Sequence, residues 1–181
     1  MRSFPLLIFA LLFSLPAVAQ LDAKLNVGSA LTLDLGIAGE FALSPSSGVS
    51  IGLGHATTTA KDDGGNEYAY RRLRFVPEYR YYVSPDYGID RFFVGAYGKL
   101  VDIKATREDE TFNASRGVLG VMAGYKWLLS NNMIIELNAG GGAGTSFGTS
   151  LNNAVATRAF SWLGKIDVRL GILVGYRFGG Y

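Results

Sequence analysis

The stretch from Gly164 to Phe178 reads GKIDVRLGILVGYRF, and its two interleaved halves decide the fold. One parity holds Gly164, Ile166, Val168, Leu170, Ile172, Val174, Tyr176 and Phe178; the other holds Lys165, Asp167, Arg169, Gly171, Leu173, Gly175 and Arg177. Successive side chains of a strand point to opposite faces, so the segment is a strand with one apolar face and one face of charges and glycine. Strands of globular proteins usually run about 5–6 residues, whereas a tilted strand crossing a bilayer needs about 9–11. The same alternation recurs upstream. In Thr32 to Leu43, Leu33, Leu35, Ile37, Phe41 and Leu43 oppose Asp34, Gly36, Ala38 and Glu40. In Ser115 to Leu129, Leu119, Val121, Ala123, Tyr125 and Trp127 oppose Arg116, Gly120, Met122, Gly124 and Lys126. In Met133 to Gly144, Ile135, Leu137, Ala139 and Ala143 oppose Glu136, Asn138, Gly140 and Gly142. No helical period competes with this one.

Turns count the strands. Phe41-Ala42-Leu43-Ser44, Tyr81-Tyr82-Val83-Ser84 and Trp127-Leu128-Leu129-Ser130 each run into a short segment of turn chemistry: Pro45 to Gly48, Pro85 to Gly88, and Asn131-Asn132. The opposite ends are joined by longer polar segments, Lys61 to Glu67, Arg107 to Asn113 and Thr145 to Ser161. Short turns on one side and long loops on the other are the pattern of an outer-membrane barrel. Four strands end near Leu43, Val83, Leu129 and Phe178, and three start near Val49, Arg91 and Met133. Bacterial barrels close with an even number, so an eighth strand is expected over Asp22 to Ser29, with Leu21, Ala23, Leu25 and Val27 opposite Asp22, Lys24 and Asn26. The expected fold is all-β, an eight-stranded antiparallel up-and-down transmembrane barrel.

Composition agrees. Of 181 residues 49% are hydrophobic and 18% charged, with 24 glycines, about twice the usual share of ~7%. The absence of cysteine excludes disulfides, thiolate metal sites, a cysteine nucleophile and a lipidated N-terminal cysteine. A formal net charge of +2 gives no field for nucleic acid. Residues 1–19 read as a secretory signal: Arg2 is the positive n-region, Pro5 to Leu15 the apolar core, and Ala17-Val18-Ala19 the small residues before cleavage. The barrel is then expected over residues 20–181, with no room for a further envelope domain. Phe41, Tyr79, Tyr81, Tyr87, Phe92, Phe93, Tyr125, Trp127, Tyr176, Phe178 and Tyr181 are expected to ring the short-turn end, and Tyr68, Tyr70, Phe112, Phe147, Phe160 and Trp162 the other.

The inward parity carries Asp34, Glu40, Arg72, Arg74, Glu78, Arg80, Lys99, Arg116, Lys126, Glu136, Lys165, Asp167, Arg169 and Arg177. Eight strands leave an interior about wide enough for side chains, and a buried charge needs an opposite partner. Glu40, Glu78 and Glu136 are therefore expected to anchor an ion-pair network with Arg80, Lys126 and Arg177, with inward glycines making room for the long side chains. An arginine-lined anion pore is the rival reading. No catalytic, cofactor or metal residues are assigned. His55, the sole histidine, falls on the outward parity without a serine–carboxylate arrangement. Gly140 to Thr145 lacks the lysine and helix of a phosphate loop. Asp62, Asp63, Asn66 and Glu67, and Glu108, Asp109 and Glu110, read as solvated loop acids before they read as calcium ligands.

Several elements together resemble a known family. Gly39 to Ser44, the Val76-Pro77-Glu78-Tyr79-Arg80-Tyr81-Tyr82 element, Gly124 to Ser130 leading into Ile135-Glu136-Leu137, and Val174 to Phe178 come in the order of a small uncharacterised outer-membrane β-barrel family typical of Bacteroidota. Tyr82 stands where a tryptophan is expected. The resemblance implies an OmpA-like membrane barrel without established activity, and it brings no catalytic residues. The terminal Gly-Tyr-Arg-Phe resembles the last-strand signal read by the barrel-assembly machinery. The expected role is that of a non-enzymatic structural or accessory protein of the outer membrane. Its expected partners are outer-membrane lipid, the assembly machinery during biogenesis and an outer-membrane protein; no nucleic acid and no cofactor are expected. The alternative is a narrow channel or a small-ligand or lipid-binding barrel.

Overall fold

In the computed structural model, which describes residues 20–28, 34–61, 67–107, 110–147 and 165–179, eight strands follow one another around a closed barrel. They are β1 (Leu21–Asn26), β2 (Asp34–Ser44), β3 (Ser47–Lys61), β4 (Glu67–Tyr82), β5 (Arg91–Arg107), β6 (Glu110–Leu128), β7 (Met133–Phe147) and β8 (Ile166–Phe178). Each pairs antiparallel with its sequence neighbours, and β1 closes the ring on β8 with Leu21 opposite Phe178 and Asp22 opposite Arg177. No helix of the described residues is long and apolar enough to cross a membrane. The expected signal, residues 1–19, lies outside the described residues, as do the tips of the expected long loops.

Register fixes the barrel's dimensions. Stepping from Ile135 through Val174, Leu25, Ile37, Leu53, Phe75, Leu100 and Gly117 returns to β7 at Thr145, ten residues beyond the start. With ~3.3 Å per residue and ~4.8 Å between strands, this stagger tilts the strands by roughly 40° and sets a radius of roughly 8 Å. Such a tilt falls within the range of membrane barrels.

Three details differ from the sequence reading. The first strand is Leu21–Asn26, not Asp22 to Ser29. The segment Arg107 to Asn113 is not a long loop: β5 runs to Arg107, β6 starts at Glu110, and those two residues pair directly. Lys165 shares the parity of the inward face but sits in the turn before β8, exposed, because the strand starts one residue later.

The distribution of polarity is inverted relative to a soluble protein. Large apolar side chains face outward on every strand, Leu35 and Leu119 77% exposed and Leu170 78%. Along β2 the outward set runs from Leu35 to Leu43, along β4 from Leu73 to Tyr81, and along β5 from Phe92 to Leu100. At the tilt above, nine residues rise roughly 23 Å, close to the ~25 Å apolar band of an outer-membrane barrel. Phe41, Tyr79, Tyr81, Phe92, Trp127, Tyr176 and Phe178 are exposed toward the short-turn end. Phe93 is not among them. Strand alternation turns it inward from Phe92, where it is fully buried against Tyr82 with ring centroids 5.3 Å apart. At the opposite rim Phe147 is exposed, Tyr70 is half-buried, and Phe160, Trp162 and the side chains of Tyr68 and Phe112 lie outside what is described.

Candidate functional site

Inward side chains stack in tiers along the lumen, and the lowest tier holds the densest chemistry. β2 delivers Glu40, β4 delivers Glu78 and Arg80, β6 delivers Lys126, β7 delivers Glu136, and the closing pair β1 and β8 deliver Asp22, Lys24 and Arg177. All eight are buried. Glu40 is the hub: one carboxylate oxygen accepts Lys24 Nζ at 2.5 Å, Lys126 Nζ at 2.8 Å and Arg80 Nη1 at 3.0 Å, while the other accepts the Tyr82 hydroxyl. Glu136 accepts from Lys24 at 2.7 Å and Arg80 at 2.9 Å, and its second oxygen takes the Asn138 amide at 2.9 Å. Arg80 also reaches Glu78 at 2.6 Å and lies 4.6 Å from the centroid of the Phe93 ring.

Of the six residues expected to form the network, Arg80 contacts all three glutamates and Lys126 contacts Glu40. Arg177 pairs with an acid outside the expected set. The β1–β8 register sets it opposite Asp22, which accepts its Nε at 2.7 Å and its Nη2 at 2.9 Å, and Asp22 in turn accepts Lys126 Nζ at 2.8 Å. Asp22 and Lys24 join the network in addition to the six expected residues. Both share the inward parity of the first strand, and that parity was the available signal. Tyr82, the departure from the family pattern, supplies the hydroxyl on Glu40.

Two further tiers lie toward the long-loop end. In the middle one, Arg169 pairs with Glu78 at 2.5 Å, and Asp167 accepts Lys99 Nζ at 2.6 Å and the Tyr97 hydroxyl at 2.8 Å. Gly120 lies beside the Tyr97 ring, where a Cβ would come within 2.5 Å of its Cζ. In the uppermost tier Asp34 holds Arg74 at 2.9 Å and Arg72 at 3.0 Å, and both arginines keep part of their surface in solvent. Gly54 leaves room for the Arg74 guanidinium.

The short-turn end carries a feature that alternation does not encode. In the segment between β4 and β5, residues 83–90, Ile89 and Asp90 are buried. Arg177 donates to the carbonyls of Tyr87 at 2.7 Å and Ile89 at 2.9 Å, so one side chain serves both the network and this segment. Gly88 takes φ +78° against the buried Gln20 side chain, a conformation and an approach that a Cβ would not allow. The Asp90 carboxylate accepts the amides of Asp86 and Tyr87, and burial raises its pKa above the usual carboxylate value.

One space between the tiers, of about 60 Å³, is lined in part by Arg74, Glu78, Arg80, Lys99 and Arg169. Outside, His55 lies half-buried on the outer face of β3, where its Nε2 accepts Arg71 Nε at 3.3 Å. No cluster of three metal-ligating side chains occurs among the described residues; Asp62, Asp63, Asn66, Glu108 and Asp109 lie outside them.

No curated protein matches the sequence. Among solved structures, Ail, the attachment invasion locus protein of Yersinia pestis, is similar at 12% identity over 88% of this chain and 94% of its own, with a TM-score of 0.39. Residues 4–149, most of the chain, match a family described as a protein of unknown function, DUF3575, and the protein with this closed eight-stranded barrel belongs to that family.

Proposed function

We propose that this chain is a non-enzymatic barrel of the outer membrane, its lumen filled by its own side chains, which serves as a structural or accessory component or as an interaction surface. The carrying observation is the inversion of polarity: an outer wall with large apolar side chains on every strand surrounds an interior of ion pairs. In water such a wall would drive aggregation; in lipid it is the favourable arrangement. On this reading the short turns face the periplasm, the lipid of the outer membrane is the first partner, the assembly machinery inserts the chain, and an outer-membrane protein is the partner sought.

A filled lumen is supported by the ion pairs that span it between strands and by the contact of Arg177 with Ile89 at the short-turn end. Ions crossing it would have to displace charges already paired to one another. The alternative, a narrow anion-selective channel, would use the arginines near the long-loop end. Reconstitution into planar bilayers tests the choice: the filled barrel gives no stepwise conductance, and steady anion-selective steps would overturn it. Mild-detergent purification from native membranes, with mass spectrometry of what co-elutes, then identifies an accessory role by a stoichiometric partner. Recovery in the soluble periplasm would overturn the membrane reading itself.

A further inference from the structure

The outer wall carries one region where the apolar belt gives way to charge in an unbalanced manner. Arg71 on β4 and Lys104 on β5 are directly opposite in register, and both are exposed. Like charges facing one another across a strand pair repel, and among the described residues neither has a carboxylate within ion-pair distance. Arg71 instead donates to His55, a third basic side chain on the same face. Asp102 is the nearby acid, diagonal to Arg71 and opposite Leu73, and it accepts the Ser115 hydroxyl at 2.7 Å. The outward face here therefore offers two fixed cations and a histidine against one carboxylate.

Immediately below these cations the wall is grooved. A row of paired outward side chains, Ile37, Leu53, Phe75 and Leu100, forms one bank, and Leu35, Leu73 and Phe147 stand on the other. Between them lies a groove of about 680 Å³, within the range that takes lipid- or drug-sized ligands. Its apolar length runs across the strands while its polar edge, at His55, Asp102 and Ser115, faces the long-loop end.

We propose that this groove, with Arg71, Lys104 and His55 above it, is a binding site for a phosphate-bearing lipid of the outer leaflet. An acyl chain lies in the groove and the phosphate bridges Arg71 and Lys104, turning their mutual repulsion into a shared attraction for one anion. Phosphate fits better than a carboxylate because its oxygens can be divided between a guanidinium and an ammonium that approach from adjacent strands. A protein partner would have to bring an acid and bury it in the headgroup region; a lipid phosphate is already at that depth. The inference rests on the outer-membrane reading of the wall.

Native mass spectrometry of the full barrel released from detergent tests it, with bisphosphorylated lipid A as the probe and the same lipid stripped of its phosphates as the comparison. The expected result is a one-to-one adduct with the phosphorylated lipid, reduced about tenfold or more without the phosphates and by a similar factor in the double variant Arg71→Gln, Lys104→Gln. The lipid comparison uses unaltered protein, so it decides the matter even where the variant misfolds; heat-modified mobility on gels reports folding. Equal adducts with both lipids, full competition by inorganic phosphate, or a dimer of the chain in place of the adduct would each overturn the proposal. Because preference is read in detergent, a failure here is distinct from a failure of membrane localisation, which fractionation reads separately.

Discussion

Replacing Glu40 by glutamine removes one charge from the centre of the lowest lumen tier while leaving its shape. The tier holds four acids, Asp22, Glu40, Glu78 and Glu136, and four bases, Lys24, Arg80, Lys126 and Arg177, all buried. Glu40 alone accepts from three of those bases and from Tyr82, with its side chain 0% exposed. After Glu40→Gln three buried acids face four buried bases. Breaking a buried pair by removing one partner costs about 3–5 kcal/mol, equivalent to a hundredfold or more in the folding equilibrium. Urea-driven unfolding in lipid vesicles, followed by tryptophan fluorescence, reads this as a lowered midpoint at unchanged slope. Two comparisons sharpen the test. Asp86→Asn breaks the exposed pair with Arg91, which at 43% and 45% side-chain exposure should cost at most about 1 kcal/mol. Adding Lys24→Met to Glu40→Gln restores equal numbers of acids and bases, so the double variant should be milder than the sum of the singles by about 1–3 kcal/mol. A Glu40→Gln barrel within about 0.5 kcal/mol of the parent, with an additive double variant, would refute the claim that the tier acts as one charge-balanced unit.

Other expectations follow from the same geometry. Leu170→Arg places a charge on the outward face at one of its most exposed apolar positions, and vesicle unfolding should show a loss of about 2–4 kcal/mol with slowed insertion. Gly120→Val would drive a Cβ into the Tyr97 ring and the Gly141 carbonyl, costing about 1–3 kcal/mol or more, whereas Gly39→Ala meets nothing within 4 Å and should be neutral or slightly stabilising in the same assay. Asp90 has a raised pKa when folded, so the native state binds its proton more tightly than the unfolded chain does. Its contribution to stability is therefore present at low pH and lost as pH rises through the folded value; relative to Asp90→Asn, the parent should gain in urea midpoint between neutral pH and the region below 3.8.

Alternation in the sequence specifies most of the architecture. Val168, Leu170 and Ile172 against Asp167, Arg169 and Gly171 identify both faces of β8, and turn chemistry places the starts of β5 at Arg91 and β7 at Met133. Parity specifies a face but neither depth nor partner. Lys165 has the inward parity and lies beyond the strand, while Arg177 has it and pairs with Asp22 of the first strand. Pairing depends on the stagger around the closed ring, a property of all eight strands together. The polarity of the Arg107 to Asn113 segment suits a loop, yet these residues continue the ladder, Arg107 opposite Glu110. The segment holding Ile89 and Gly88 has no periodic signature. It depends on φ values and on the carbonyls that Arg177 happens to reach.

The Asp22–Arg177 pair joins two residues 155 positions apart at the seam where β1 meets β8. Until that seam closes, Arg177 and Lys126 lack Asp22, and Glu136 and Glu40 lack Lys24. Before closure the lowest tier would thus hold charges short of partners, which costs several kcal/mol for each ion that is buried. Electrostatic matching and completion of the ring are one event: a sheet stopped short of β8 would keep the penalty without the remedy.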